Sequence, residues 1–335
     1  MSTPPTAPPS APTGDLVLTV TPNPSVDHTV ELAVLTRGEV HRATAALVEA
    51  GGKGVNVARA LARHGHRASA VVPSGGVDGD RLVGLLAPQR VDVVPVAVAG
   101  AIRTNTTVVE ADGTTTKLNE PGPVLSGQEV DALLRTVRAR LTVGPRWLVS
   151  CGSLPPGAPA DVHARVVALG REAGVATAVD TSGAALAAAV AADPDVVKPN
   201  LEELAELVAR ELQTVGDVLS AVTELRARGA RRADVLVSLG GAGALLVTPR
   251  ETVWAGGEPL VPRSTVGAGD CTLAGYLHAG GPAAERLRTA VSWGRAAVLL
   301  PGSAVPGPDE TPAGAAGVRV VTDPDPDTSV KELKQ

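Results

Sequence analysis

Short apolar runs alternate along the chain with longer segments in which apolar residues recur every three or four positions. The pattern predicts strands at residues 16–20, 67–72, 147–150, 175–180, 196–197 and 235–239. It predicts helices at residues 54–64, 126–141, 159–173, 201–212 and 215–228. Such alternation is typical of an α/β fold in which a mostly parallel sheet is covered by helices on both faces. Ligands of these sheets bind beyond the carboxyl ends of the strands.

Two segments depart from this alternation because their strand-like runs have no helices between them. The runs span residues 29–34, 42–49, 94–98, 103–110 and 114–118. The Asp112-Gly113 pair between the last two is a strong hairpin signal. We expect these runs to form a small separate β-sheet, a lid over the site, within about residues 28–50 and 94–120.

The two ends of the chain differ in composition from the rest. Residues 1–14 are rich in Pro, Ala and Thr, which predicts a disordered N-terminal tail without the charged start and apolar centre of a secretory signal. From Pro306 onward the chain is rich in Pro, Asp and Gly. We therefore expect one domain over residues 15–309 and a C-terminal surface tail over residues 310–335, with residues 318–321 as a candidate edge strand.

Composition narrows the possible classes of protein. Hydrophobic residues make up 44% of the 335 residues, but there is no Phe and one Tyr, so the core must consist of Ala, Val and Leu. The net charge of −5 and the lack of Lys/Arg runs argue against nucleic-acid binding. No apolar run has transmembrane length, so we expect no membrane partner. The two cysteines, Cys151 and Cys271, indicate no disulfide framework, which favours a reduced, cytoplasmic protein.

The most informative motif is the glycine-rich stretch Ser264-Thr265-Val266-Gly267-Ala268-Gly269-Asp270, which opens a predicted helix. Gly267 and Gly269 allow backbone amides to approach a ligand closely. The positive end of the helix favours an anion such as a transferring phosphoryl group. A carboxylate beside such a site is useful if it removes a proton from the attacking hydroxyl. The alternative is that Asp270 caps the helix, as Asp often does.

A second glycine loop joins a strand to the first predicted helix at Ala50-Gly51-Gly52-Lys53-Gly54-Val55-Asn56. Its lysine is a mobile positive charge suited to a phosphate, and Asn56 can hydrogen-bond a sugar hydroxyl from the first helical turn. Upstream, Asn23-Pro24-Ser25-Val26-Asp27 places a carboxylate near the same sheet edge, where it can bind vicinal hydroxyls. The plain alternatives are a solvated loop lysine for Lys53 and a turn residue for Asp27.

Together the two loops resemble the two signatures of the ribokinase-like, or PfkB, carbohydrate kinases. Four further segments agree with that family and follow the expected order: Gly152-Ser153-Leu154-Pro155, Asp180-Thr181-Ser182-Gly183, Lys198-Pro199-Asn200 and Ser238-Leu239-Gly240-Gly241. The resemblance covers residues 15–309. The lysine of the second loop, the motif at residues 23–27 and Thr265-Val266 are similar to the 1-phosphofructokinase and tagatose-6-phosphate kinase subgroup. That subgroup adds a second phosphate to a ketohexose phosphate.

The resemblance implies a ribokinase-like fold and a role for each matching residue. Asp270 would be the general base, and the anion hole would consist of Gly267, Ala268 and Gly269. The sugar phosphate would be bound by Asp27, Gly51, Gly52, Lys53, Asn56 and Arg103, with Lys53 and Arg103 on its existing phosphate. ATP would be bordered by Lys198, Asn200, Ser238, Gly240, Gly241, Gly243 and Thr265. Asn200 and Glu203 would position Mg²⁺ and its waters.

The activity that the resemblance implies is ATP- and Mg²⁺-dependent phosphorylation of D-fructose 1-phosphate to D-fructose 1,6-bisphosphate. Tagatose 6-phosphate and fructose 6-phosphate are alternative substrates, and a catalytically silent sugar-phosphate sensor is the alternative from another class. A nicotinamide-dependent dehydrogenase is rejected because it needs GxGxxG after the first strand, where this chain has Thr21-Pro22-Asn23-Pro24-Ser25. The expected lid, with Val30, Leu32 and Val34 on one side, predicts a homodimer formed through the lid.

Overall fold

The computed structural model describes residues 15–334, so the predicted N-terminal tail over residues 1–14 lies outside the described residues. The strands are β1 Leu16–Val20, β2 Ser25–Leu32, β3 Ala45–Gly51, β4 Arg67–Ser74, β5 Val91–Ala97, β6 Arg103–Glu110, β7 Thr115–Asn119, β8 Trp147–Cys151, β9 Ala176–Asp180, β10 Val196–Val197, β11 Asp234–Ser238, β12 Ala244–Val247, β13 Thr252–Gly256 and β14 Arg319–Thr322. The α-helices are α1 Lys53–Arg63, α2 Gly76–Leu86, α3 Gly127–Leu141, α4 Val162–Glu172, α5 Gly183–Ala191, α6 Leu201–Val208, α7 Val215–Arg228, α8 Ala268–His278, α9 Ala283–Val298 and α10 Thr311–Ala315. Among these described residues, no helix is both long and apolar enough to cross a membrane.

In the described part of the chain, ten strands form one large sheet in the order β14-β13-β12-β11-β10-β9-β8-β1-β4-β5. The strands from β11 to β5 in this order are parallel, whereas β12, β13 and β14 extend the other edge with antiparallel pairing. The predicted α/β class is therefore confirmed. Because these seven strands run in the same direction, their carboxyl ends all lie at the same edge of the sheet.

The large sheet is covered on both faces, and its apolar side chains alternate between two layers of helices. Val196 packs with residues of α1, α8 and α9, whereas the adjacent Val197 packs with residues of α5, α6 and α7. Farther along this second face, Leu18 and Leu148 pack against α3 and α4. Burial of both faces explains why the parallel strands consist of nearly continuous apolar runs.

A second sheet of four strands, in the order β3-β2-β6-β7, confirms the predicted small sheet. The prediction that residues 94–98 belong to this sheet is wrong, because β5 pairs in parallel with β4 in the large sheet. The physical reason is α2, a helix that was not predicted. Its two internal glycines and two aspartates obscure the helical pattern, yet it connects β4 to β5 as an ordinary crossover.

The C-terminal segment is part of the domain and does not form the surface tail predicted for residues 310–335. α10 packs against α9, and β14 pairs with β13 at the edge of the large sheet, which confirms the candidate edge strand. Farther on, Val330 and Leu333 are buried in the cluster that includes α7. The Pro, Asp and Gly residues of this segment therefore form turns between packed elements, such as the positive-φ residue Asp323 after β14.

Candidate active site

The carboxyl ends of the parallel strands open into a cavity of about 780 Å³. With the exception of Gly51, its lining contains every residue that the sequence predicted for the site: Asp27, Gly52, Lys53, Asn56, Arg103, Lys198, Asn200, Glu203, Ser238, Gly240, Gly241, Gly243, Thr265, Gly267, Ala268, Gly269 and Asp270. The small sheet borders the same cavity through Asn105 and Lys117. Both glycine loops therefore meet at the sheet edge where ligands of α/β folds bind.

Asp270 lies in the first turn of α8, but it does not cap that helix. The N-cap is Gly267, whose φ of 76° lies in the left-handed region, and no side chain caps this end of the helix. The Asp270 carboxylate instead reaches α1, where its Oδ2 accepts a hydrogen bond from Asn56 Nδ2 at 2.9 Å. The first amides of α8, which have no partner within the helix, can therefore bind an anion.

The surroundings of the buried Asp270 raise its pKa to about 6. Burial is the main cause, and the negative charge of Asp180 adds to it, while Lys53, Asn56 and Lys198 act in the opposite direction. A carboxyl group with this pKa is ionised at neutral pH, and it accepts a proton more readily than an ordinary aspartate does. Such a group is suited to general-base catalysis.

A second buried carboxylate, Asp180 at the end of β9, holds two lysines in the cavity. Its Oδ1 is 2.7 Å from Lys53 Nζ, and its Oδ2 is 2.8 Å from Lys198 Nζ. Burial lowers the pKa of Lys53, but the carboxylates of Asp180, Glu203 and Asp270 more than offset that effect, so the net shift is upward and Lys53 stays charged. Sequence reasoning gave Asp180 no role in the site because its ion pairs join residues far apart in the chain.

Asp27 of β2 forms the opposite wall of the cavity. Its Oδ1 accepts hydrogen bonds from Ser25 Oγ at 2.6 Å and from Asn105 Nδ2 at 3.1 Å. Burial raises the pKa of Asp27, although these two hydrogen bonds and Arg103 oppose the shift. Gly51 lies directly behind this carboxylate, and a Cβ at Gly51 would come within 2.3 Å of it. Gly51 therefore makes room for Asp27 and does not itself line the cavity.

Arg103 and Lys53, the two residues predicted to bind the phosphate of the sugar, lie in different hydrogen-bonded groups. Arg103 donates to the carbonyl oxygens of Asn23 and Glu120, at 3.0 and 3.3 Å. It also lines a neighbouring cavity of about 570 Å³, together with Asn23 and Ser153. Sequence reasoning assigned neither of these two polar residues to the site, although Asn23 opens the motif at residues 23–27 and Ser153 stands in one of the family-like segments. The region around Arg103 can bind one end of an anionic ligand, while Lys53 lies at the Asp180 side.

Asn200 and Glu203 form a capping box at the start of α6. Asn200 Oδ1 accepts from the Glu203 amide at 2.7 Å, and Glu203 Oε2 accepts from the Asn200 amide at 2.8 Å. Glu203 Oε1 is left over, 3.6 Å from Lys53 Nζ. Within residues 15–334, no three His, Cys, Asp or Glu side chains are grouped so that they could hold a metal ion. Glu203 Oε1 is thus the one oxygen of these two side chains that lies outside the capping box and faces Lys53.

The wall beside β11 and α9 combines glycines with an apolar surface. Its glycines, Gly240, Gly241 and Gly243, lie in the turn between β11 and β12. Its apolar residues are Leu260, Pro262, Val291 and Val298. Sequence reasoning found the glycines but missed the apolar residues, because neither α9 nor the loop between β13 and α8 that holds Leu260 and Pro262 has an apolar motif. An apolar slot next to accessible backbone groups is suited to a flat heterocyclic base.

Residues 20–310 match the model of the pfkB family of carbohydrate kinases. The chain is 38% identical over 312 residues to a 1-phosphofructokinase of Rhodobacter capsulatus, which covers 92% of this chain and 98% of that protein. It is 36% identical over 301 residues to the ATP-dependent 6-phosphofructokinase isozyme 2 of Escherichia coli K12, over 88% of this chain and 96% of that one. The tetrameric inhibited form of phosphofructokinase-2 from Escherichia coli has a TM-score of 0.81 at 36% identity, over 90% of this chain and 98% of that chain. These matches and the geometry of the site agree, and the chain belongs to the pfkB family of carbohydrate kinases.

Proposed function

We propose that the protein transfers the γ-phosphoryl group of ATP to D-fructose 1-phosphate and so forms D-fructose 1,6-bisphosphate and ADP. The observation that carries this proposal is the buried Asp270 carboxylate, held by Asn56 beside the free amides at the start of α8. The activity named for the Rhodobacter capsulatus relative supports the choice of substrate. Fructose 6-phosphate is the second candidate, because the Escherichia coli relative is named a 6-phosphofructokinase.

In this mechanism the sugar phosphate lies between the small sheet and α8. Asp27 and Asn56 bind its hydroxyl groups, and Arg103 binds its phosphate. Lys53 lies at the other side of the cavity, beside Asp180. Asp270 removes the proton from the free hydroxyl as the hydroxyl oxygen attacks the γ-phosphorus of ATP. The new O–P bond forms while the bond to the leaving oxygen of ADP breaks, and the proton remains on the Asp270 carboxyl group.

The charge on the phosphoryl oxygens needs neutralisation more than it needs covalent catalysis. The amides of residues 267–269 would donate to these oxygens. Lys198 adds a positive charge beside the same loop. Its Nζ is so close to Gly269 that a Cβ built on this glycine would lie 3.3 Å from it. ATP would extend from there along Thr265, Asn200, Ser238, Gly240, Gly241 and Gly243, with its base against the apolar wall.

Mg²⁺ would supply further neutralisation of the phosphate charges when it is bound with the nucleotide. We assign its positioning to Asn200 and Glu203, acting through water. The support for this assignment is Glu203 Oε1, which is not used by the capping box and lies 3.6 Å from Lys53 Nζ, at the Asp180 side of the cavity.

We further propose that the small sheet acts as a lid that excludes water, and that two chains associate through it. Water in a closed kinase site would otherwise compete with the sugar for the phosphoryl group. Of the apolar residues predicted for the contact between chains, Leu32 is buried within its own chain, whereas Val34 is 62% exposed and can contact a partner. Leu118 of β7 pairs with Thr106, which pairs with His28, so it shares the face of Val30 and Leu32. It is 61% exposed and supplies further apolar surface for such a contact.

An assay of ADP release over a panel of ketose phosphates tests the proposed reaction. We expect fructose 1-phosphate to have a higher kcat/KM than fructose 6-phosphate, tagatose 6-phosphate or free fructose. Chelation of Mg²⁺ by EDTA should abolish turnover, and added Mg²⁺ should restore it. Sugar-phosphate binding without ADP release from any member of the panel would instead support the silent sensor.

Asp270→Asn should lower kcat at least ~10²-fold, the usual size of a general-base loss, while ATP and sugar phosphate still bind. Because the base must be ionised, kcat/KM of the wild type should fall as the pH drops below the Asp270 pKa of about 6. The matched control is Asp217→Asn. Asp217 is also the third residue of its helix, but it caps α7 by accepting from the amides of Gln213 and Thr214. Near-normal kcat in Asp270→Asn would rule out its role as the base.

Arg103→Ala should raise KM for fructose 1-phosphate far more than KM for ATP. Loss of a hydrogen bond to a charged group costs about 1.5–3 kcal/mol, or roughly 10- to 150-fold. Arg138→Ala serves as the control, since Arg138 is an exposed residue of α3 whose partner is Glu172, away from both cavities. An equal rise of KM for free fructose in Arg103→Ala would show that Arg103 does not bind the phosphate.

Light scattering at micromolar concentration tests the association through the small sheet. The wild type should be a dimer, and Leu118→Glu should shift it toward the monomer, because a charge replaces an exposed apolar side chain of the contact. The control Val143→Glu changes a residue of similar exposure, 59%, in the turn after α3. A monomeric wild type, or an oligomer that Leu118→Glu leaves intact, would contradict the proposal.

A further inference from the structure

Arg59 is a buried residue of α1, one turn after Asn56, and its guanidinium contacts several separate parts of the structure. It is 4% exposed. Its Nη1 donates to Asn56 Oδ1 at 3.1 Å, to the Ala50 carbonyl at 2.9 Å and to the Ser303 carbonyl at 3.2 Å. Its Nη2 is 3.2 Å from Glu49 Oε1. Arg59 is therefore linked at once to the Asn56 side chain, to β3 and to the loop after α9.

The contact with Arg59 decides which way the Asn56 amide faces. The oxygen and nitrogen of an Asn amide occupy nearly equal volumes, so hydrogen-bond partners determine the orientation. A guanidinium carries donors only, and the Asn56 oxygen must therefore face Arg59. The Asn56 nitrogen then faces Asp270 and donates to it at 2.9 Å. In the reversed orientation a donor would meet a donor, and the amide oxygen would face the Asp270 carboxylate.

Arg59 is itself held in place from the small sheet. Glu49 lies opposite Asp27 in the pairing of β2 with β3. While its Oε1 contacts Arg59, its Oε2 accepts hydrogen bonds from the amide and the hydroxyl of Ser303, at 2.7 and 3.1 Å. A displacement of β3 would move Glu49 and the Ala50 carbonyl, and thereby two of the acceptors that hold the guanidinium.

We propose that Arg59 is a positioning residue for phosphoryl transfer, which orients Asn56, and through Asn56 the Asp270 carboxylate, according to the position of β3. The inference rests on the proposed role of Asp270 as the base. Arg59 does not line the cavity, so the role we assign to it acts through Asn56 rather than through a direct contact with substrate. The chain of contacts runs from β3 to Arg59, from Arg59 to Asn56 and from Asn56 to Asp270.

The test compares Arg59→Met with Arg63→Met in the ADP-release assay with fructose 1-phosphate. Arg63 lies one turn farther along α1 and contacts Val305 and Glu310 after α9, but not Asn56. Arg59→Met should lower kcat at least about tenfold, the effect of losing one hydrogen bond to a charged group. The acidic limb of its kcat/KM profile should move to higher pH, because Asp270 loses its oriented donor. Arg63→Met should change neither kcat nor the pH profile of kcat/KM. An Arg59→Met variant that behaves like Arg63→Met overturns the inference.

Two further variants separate orientation from the burial of an unpaired charge. The double variant Arg59→Met/Glu49→Gln removes the carboxylate that Arg59→Met leaves unpaired, and it also serves if Arg59→Met does not fold. A persistent loss of kcat supports the inference, and recovery of kcat overturns it. In an Asn56→Ala background, Arg59→Met should cost at most about a further twofold in kcat, because residues that act through one another are not additive. A full second loss there also overturns it.

The same assay separates the two proposals. A wild-type chain that phosphorylates no ketose phosphate would refute the proposed function and this inference together. An active wild type in which Arg59→Met has normal kcat and a normal pH profile would refute the inference alone.

Discussion

The carboxylate of Asp180, which is 1% exposed, lies between the ammonium groups of Lys53 and Lys198. Burial of a carboxylate lowers the stability of the fold unless its negative charge is compensated, and even a compensated, buried ion pair contributes little net stability. What the pairs do fix is the position of two positive charges next to the loop at the start of α8. The negative charge of Asp180 also raises the pKa of Asp270, and the two lysines limit that increase. The charge balance of the whole site thus depends on one residue at the end of β9.

The topology of the large sheet places this carboxylate where it can act. β9 lies between β8 and β10, so its carboxyl end opens at the centre of the edge that all the parallel strands share. Helices α1 and α8 pack together on one face of the sheet and bring Asn56 to Asp270 across 214 positions of sequence. The two glycine loops precede these two helices. Packing of the apolar faces of α1 and α8 therefore positions the polar contacts of the site.

The small sheet is connected to the same site through its own strands. β2 begins soon after β1 ends, and it carries Asp27 into the cavity. β3 ends at the second glycine loop, and its Glu49 is bound to Arg59 beneath Asn56. Because the strands that would close over a ligand also carry residues of the site, a movement of this sheet and the alignment of Asp270 are coupled by direct contacts. This arrangement supports the proposed role of the small sheet as a lid.

The sequence by itself determined the features that depend on local pattern. Apolar runs of the buried strands predicted the α/β class, the glycine loops predicted close approach to an anion, and the order of short motifs predicted the family. Local pattern could not decide whether Asp270 was a base or a cap, because both require an aspartate in the first turn of a helix. The tertiary structure excludes the cap, because the Asp270 carboxylate meets Asn56 when α1 packs on α8; the role as base is our proposal. Likewise, the ion pairs of Asp180, the place of β5 in the large sheet and the packing of the C-terminal segment are contacts between distant parts of the chain. Their energies arise from burial and charge in three dimensions, and no local spacing of residues encodes them.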